Sequence, residues 1–190
     1  MVGIASPDAR LDAYPHQLSG GMRQRVAIAI ALLNKPDVII ADEPTTALDV
    51  TIQGQILAEI QKICRQTATA VIWITHDLSV VSSLADHISV MYAGKIVEQG
   101  PSAQVLGQPA HPYTRGLIRS VPAFNPPHQA LYQIPGMAPA LSQLPIGCAF
   151  VSRCERASAQ CAQAPQATTV NSDHVIRCFH PCREPLELAS

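Results

Sequence analysis

Asp42, Glu43 and His76 stand at or just beyond the ends of two apolar runs, Val38-Ile39-Ile40-Ala41 and Ala70-Val71-Ile72-Trp73-Ile74. Carboxylates and an imidazole at the carboxyl ends of buried strands lie where open α/β sheets place ligands. The set suits phosphate chemistry. Asp42 could hold Mg²⁺, directly or through water. Glu43, turned the other way, could orient or deprotonate an attacking water, and His76 could donate to a terminal phosphate. A solvated loop and a structural histidine fit the same residues taken singly.

A second group of residues points to the same chemistry. Ser19, Gly20 and Gly21 precede a long apolar stretch, Val26 to Leu33, so a helix should start there with its first N–H groups unpaired. Such an end attracts anions, Ser19 adds a hydroxyl, and glycines let a phosphate approach the backbone. An ordinary helix start has the same appearance.

The elements that must position these groups follow from pattern. The helix from about Gly20 to Leu33 is stopped by Asn34-Lys35-Pro36-Asp37. The two β-branched runs read as strands buried on both faces, as in a parallel sheet. Between them Ile52, Ile56, Ile60 and Ile63 lay one apolar stripe on a helix running from Asp49 to near Gln66. A short helix is expected over Leu78 to Leu84. Ile88 to Tyr92 and Lys95 to Glu98 flank Ala93-Gly94 as a hairpin, and Ser102 begins another short helix.

Composition narrows the class. A net charge of −1 with 14% charged residues leaves no basic footprint for nucleic acid. The longest apolar runs are too short to span a bilayer, and the first residues lack the pattern of a secretory signal. A mean hydropathy of +0.14 suggests a surface normally covered by a partner. Twelve of the 16 prolines and five of the six cysteines follow residue 100, so the two halves obey different rules.

In order, Leu18-Ser19-Gly20-Gly21, Val38 to Pro44, Ala47-Leu48-Asp49 and Ile74-Thr75-His76-Asp77 resemble the second half of an ABC transporter ATPase subunit: signature motif, Walker B strand with its glutamate, D-loop and H-loop. The resemblance implies that Ser19, Gly20 and Gly21 contact the γ-phosphate of ATP bound to the opposite subunit. It also implies Mg²⁺ at Asp42, a general base at Glu43, cross-dimer signalling at Asp49 and a γ-phosphate contact at His76. Met22 replaces the usual signature glutamine and Gln24 follows two places on, a variant typical of the peptide-importer branch. The tail, with His111-Pro112-Tyr113-Thr114-Arg115, Pro135-Gly136 and Gly147-Cys148-Ala149-Phe150, is similar to the C-terminal extension of oligopeptide and dipeptide importer ATPases.

Cys148, Cys154, Cys161 and Cys178 lie in a Pro-rich segment with too few large apolar side chains for its own core, so a staple is expected. Disulfides, zinc and free thiols are alternatives, although the spacing lacks the Cys-x-x-Cys pairs of a zinc ribbon. The importer branch implies a 4Fe-4S cluster on these four residues.

No Gly-x-x-x-x-Gly-Lys-Ser/Thr phosphate loop occurs in the 190 residues. The expectation is therefore a truncated or split subunit that neither binds ATP tightly nor hydrolyses it alone. The expected fold is α/β: a partial P-loop NTPase domain of the ABC type over residues 1–107, with a mostly parallel sheet of about three strands and a hairpin. A small cysteine-bearing extension follows over 108–190. The resemblance implies a second ATPase subunit and transmembrane permease subunits as partners, at the cytoplasmic face of the bacterial inner membrane, in peptide import. A rival expectation is a degenerate, non-catalytic module that docks on a partner or carries a metal.

Overall fold

The computed structural model describes residues 2–4, 6–46, 49–125, 130–184 and 186. The chain packs as two units, Met1–Asp77 and Leu78–Ser190. The hairpin and short helices of residues 78–107 belong to the same unit as the tail.

In the first unit, helix α1 (Gly20–Leu32) leads to strand β1 (Val38–Asp42), helix α2 (Val50–Thr67) and strand β2 (Ala70–Ile74). The two strands pair in parallel, Val38 beside Ala70 through to Asp42 beside Ile74. Alternation along each strand puts Ile39 and Ala41 on one face, where Ile39 packs with Ile28 and Leu32 of α1 and Ile63 of α2. Both helices start at side-chain caps: Ser19 accepts from the Met22 N–H at 3.3 Å and Asp49 from the Ile52 N–H at 2.9 Å. Each cap satisfies an N–H that the helix itself cannot. α2 ends at Ala68 in the left-handed conformation, and the Thr69 hydroxyl ties the start of β2 to the Pro36 carbonyl at 3.0 Å.

The second unit begins with helix α3 (Leu78–Leu84). Strand β3 (His87–Tyr92), strand β4 (Lys95–Pro101), helix α4 (Ser102–Gly107) and helix α5 (Pro112–Ser120) follow, and strands β5 (Thr168–Asn171) and β6 (His174–Ile176) close it. Ala93 and Gly94 both have positive φ, 48° and 78°, the turn that matches strand twist in a two-residue hairpin. Ile88, Val90, Tyr92 and Val97 then face Val105 and Phe150 across one core. Tyr92 meets the Phe150 ring edge-on at 5.2 Å and Tyr113 at 4.6 Å.

Two expectations are corrected here. The sheet is not mostly parallel: among the described residues only β1 and β2 run parallel, and the larger sheet, in the order β3-β4-β6-β5, is antiparallel throughout. β4 completes its ladder with β6 from the tail, a partner 70 or more residues away that no local pattern announces. Nor is the tail a separate cysteine-bearing appendage. It supplies Phe150 and Ile176 to the same unit as the hairpin, because the hairpin's apolar face would otherwise lie open.

Candidate functional site

The parallel pairing of β1 and β2 brings their carboxyl ends side by side, and the polar residues just beyond them meet. His76 Nδ1 lies 2.8 Å from Glu43 Oε1. The Thr46 hydroxyl donates to Glu43 Oε2 at 2.7 Å, so both carboxylate oxygens are engaged. The hydrogen bond from His76 holds the Glu43 carboxyl below the usual carboxylate range, with Thr46 adding to it. The same bond to Glu43 raises the His76 pKa. Both groups are open to solvent, His76 with 80% of its side chain exposed.

Glu43 itself sits at φ 46°, a left-handed backbone unusual for a residue with a Cβ. Its N–H continues the sheet ladder to the Ile74 carbonyl at 2.9 Å, and its carbonyl accepts from the Thr46 N–H at 3.1 Å. The chain therefore turns sharply right after the last ladder bond. Pro44 stands at that turn, and Thr46 closes it. Thr46 is the partner of Glu43 that sequence reasoning missed. The available signal was a hydroxyl three residues after a strand-end carboxylate, within reach of a tight turn.

The other expected site residues divide by location. Asp42, the last residue of β1, is exposed, and its side chain makes no hydrogen bond or ion pair with any described residue. Asp42 and Gln24 line one apolar groove of about 190 Å³ between α1, β1 and α2. Ser19 and Gly20 are exposed at the start of α1. Gly21 has a packing duty: a Cβ there would lie 2.6 Å from the Ile52 methyl of α2. The start of α1 thus rests against the first turn of α2, the turn that Asp49 caps. Of the D-loop, Ala47 and Leu48 lie outside the described residues.

The four cysteines also come together, in the second unit. Cys148, Cys154, Cys161 and Cys178 line one cavity with His111, Phe150 and His180. The expected 4Fe-4S cluster does not fit it. The cavity measures about 10 Å³, room for roughly one water. Among the described residues no group of three or more His, Cys, Asp or Glu side chains is arranged to hold a metal ion. Burial pushes the Cys178 thiol up to about 11 and raises Cys148 and Cys154. The Cys178 sulfur accepts from the His180 N–H at 3.3 Å, and the Cys148 N–H donates to the Cys161 carbonyl at 2.9 Å. Here the cysteines act as small apolar side chains and turn anchors.

A buried polar knot, unforeseen in the sequence, holds the same unit. Glu98 is fully buried and accepts from the Ala110 N–H at 2.7 Å and the His111 N–H at 2.9 Å, with His174 Nε2 at 2.7 Å. A carboxylate in that position is tolerable only with every oxygen contact made.

Residues 1–46 match the family model described as "ABC transporter", and residues 97–161 the one described as "Oligopeptide/dipeptide transporter, C-terminal region". The "Dipeptide transport ATP-binding protein DppD" of Bacillus subtilis is 50% identical over 180 residues, which is 94% of this chain and 54% of that protein. The "Oligopeptide transport ATP-binding protein OppD" of Haemophilus influenzae is 47% identical over 178 residues, 93% of this chain and 55% of its own length. Among solved structures, a dimeric ATP-binding cassette bound to ADP and phosphate is similar over 46% of this chain and 38% of that chain. The identity is 38% and the TM-score 0.42. The chain spans about half the length of the curated relatives it matches. Among the described residues no helix is long and apolar enough to cross a membrane. Two family matches and this identity across nearly the whole chain lead to one conclusion: over the portion of them that it spans, the chain is similar to the ATP-binding proteins of dipeptide and oligopeptide ABC transporters.

Proposed function

We propose that this chain forms the signature-to-H-loop portion, with the C-terminal region, of a subunit that binds and hydrolyses ATP to energise peptide import. The observation that carries the reading is the contact between Glu43 and His76 at adjacent parallel strand ends, 2.8 Å apart. Bound ATP with Mg²⁺ supplies the electrophilic phosphorus and the charge-neutralising cation. Asp42, an exposed carboxylate with no side-chain partner among the described residues, is the right donor for that cation.

Glu43, ionised because His76 and Thr46 hold its oxygens, accepts the proton of an attacking water or orients it. It must first release one of its two contacts. The His76 ring, four-fifths exposed, can swing away at little cost and so become a donor for a terminal phosphate. Ser19, Gly20 and Gly21 present the start of α1 outward, which suits an anion held by a second ATPase subunit. Gln24 lies one turn further along, and Asp49 caps α2. The partners of such a subunit are a second homologous ATPase subunit and transmembrane permease subunits, at the cytoplasmic face of the inner membrane.

A chimera tests this. Residues 1–190 replace the matching portion of the Bacillus subtilis dipeptide relative, and ATP-dependent dipeptide uptake is measured in proteoliposomes with its permease. Uptake is expected, with Glu43→Gln lowering hydrolysis at least a hundredfold while ATP binding persists. A folded chimera that binds ATP no better than a Ser19→Arg control, or whose hydrolysis ignores Glu43→Gln, overturns the reading.

A further inference from the structure

The second unit holds a cleft of about 550 Å³ that neither the Glu43–His76 pair nor the cysteine cavity accounts for. That volume suits a small molecule. Strand register builds the cleft. Lys95 stands opposite Tyr92 in the hairpin, so the two side chains share one face of the sheet with Val97, two places on. The Arg177 N–H donates to the Val97 carbonyl at 2.8 Å, continuing the ladder that pairs Glu98 with Ile176, and this puts Arg177 on the same face. Tyr92, Val97 and Phe150 are buried and make the floor, while the exposed Lys95 and Arg177 stand at the rim.

The charge on the cleft is one-sided. Lys95 and Arg177 are diagonal neighbours on adjacent strands, about 7–8 Å apart at the backbone. Neither side chain makes a hydrogen bond or ion pair with any described residue, and no Asp or Glu is among the described residues that line the cleft. The chain as a whole carries 14 acidic residues against 13 basic ones, so composition does not account for two uncompensated cations here. Like charges this close repel, and an anion seated between them removes the repulsion.

We infer that the cleft binds a small monocarboxylate with an apolar body. The guanidinium of Arg177 and the ammonium of Lys95 bridge the carboxylate by charge-assisted hydrogen bonds, and the body lies on Tyr92, Val97 and Phe150. The sign of the rim selects an anion. The apolar floor selects an organic acid over a bare inorganic ion, which would leave that floor wet. Walls from residues 147–150 and 164–166 make the site concave, which selects a free solute over a flat membrane surface. The cleft lies wholly within the second unit, so the inference stands apart from the ATP-hydrolysis reading.

The test titrates the 190-residue chain with phenylbutyrate by isothermal titration calorimetry, with phenylbutanol and phenylbutylamine as the neutral and cationic forms of the same body. The carboxylate is expected to bind at least tenfold tighter than the alcohol, with the amine weakest, and to lose affinity as salt rises. Lys95→Gln combined with Arg177→Gln should weaken the carboxylate at least tenfold and leave the alcohol unchanged, whereas Lys95→Arg should retain it. Circular dichroism checks the fold. If the double variant unfolds, each single Gln variant should still weaken the carboxylate severalfold. Amide NMR shifts on adding phenylbutyrate should fall at Lys95, Val97 and Arg177 and spare Ser19 to Arg23 of the first unit. Four results overturn the inference: no binding of phenylbutyrate by the folded chain at millimolar concentration, equal affinity for the three probes, Gln variants that bind like the parent, or capture by phosphatidylglycerol vesicles without binding of the free acid.

Discussion

The two units differ in how their apolar surface is closed, and the difference separates chemistry from stability. In the second unit the hairpin of β3 and β4 is sealed by Phe150 and β6, residues delivered by a long, Pro-rich tail. Its buried carboxylate, Glu98, has every contact made. The first unit buries few large side chains, chiefly Leu32, Ile56, Ile60 and Ile63, and leaves one sheet face open beside its polar strand ends. The closed unit holds itself together, whereas the open one holds reactive groups at an edge where something must still arrive.

Phe150→Ala should produce the largest contrast. It removes the ring that meets Tyr92 and Tyr113, and a cost of about 4 kcal/mol is expected for the second unit. The single tryptophan, Trp73, lies in the first unit. Denaturant unfolding followed by its fluorescence should barely change, while near-ultraviolet dichroism of the tyrosines shifts to lower denaturant. Equal shifts in both signals would dissolve the distinction between the units.

Acid should strike the second unit next. Burial lowers the pKa of His111 to about 4, from the 6.5 of a free imidazole. Between those values the unfolded chain binds more protons, so stability falls as pH falls from about 6.5 to about 4. It is unaffected by this residue above that window. The full loss is about 3 kcal/mol. His111→Phe should flatten that slope in a pH series of unfolding midpoints, and an unchanged slope would move the cause elsewhere.

Smaller effects are expected in the first unit. Gly21→Ala gains helix propensity but drives a Cβ to 2.6 Å from the stiff Ile52 side chain, for a net cost of about 1 kcal/mol by thermal unfolding. Asp49→Ala removes the cap of α2 and should cost about 1 kcal/mol in the same assay. Glu43→Gln should leave stability almost untouched, since the pair with His76 is open to water. Its signature is a titration. The His76 imidazole, raised by its bond to Glu43, should return toward an ordinary histidine value by proton NMR. The paired state is strongest in the window above the lowered Glu43 pKa and below the raised His76 pKa. It is lost on either side, as one partner loses its charge.

Much of the first unit was legible because its signals are local. Asn34 to Asp37 stop α1, Asp49 caps α2, and β-branched runs announce β1 and β2 within one or two residues of their observed ends. The positive-φ turn at Ala93-Gly94 was readable for the same reason. The antiparallel sheet was not. Its completion pairs Glu98 with Ile176, and neither residue's neighbourhood signals the other. The cysteines line one cavity, but their spacing could not reveal that the space left between them is about 10 Å³.

Sequence alone determined that Asp42 and Glu43 stand at the end of one strand and His76 just past the end of another, because strand period, caps and stops act over a few neighbours; their meeting at one rim waited on the parallel pairing. Tertiary structure alone decided that His76 and Thr46 share the Glu43 carboxylate. It also decided that the tail closes the hairpin and that one face of β1 and β2 is left bare. Each of these depends on contacts between residues far apart in the chain, whose formation is governed by packing and loop closure and leaves no mark on local composition.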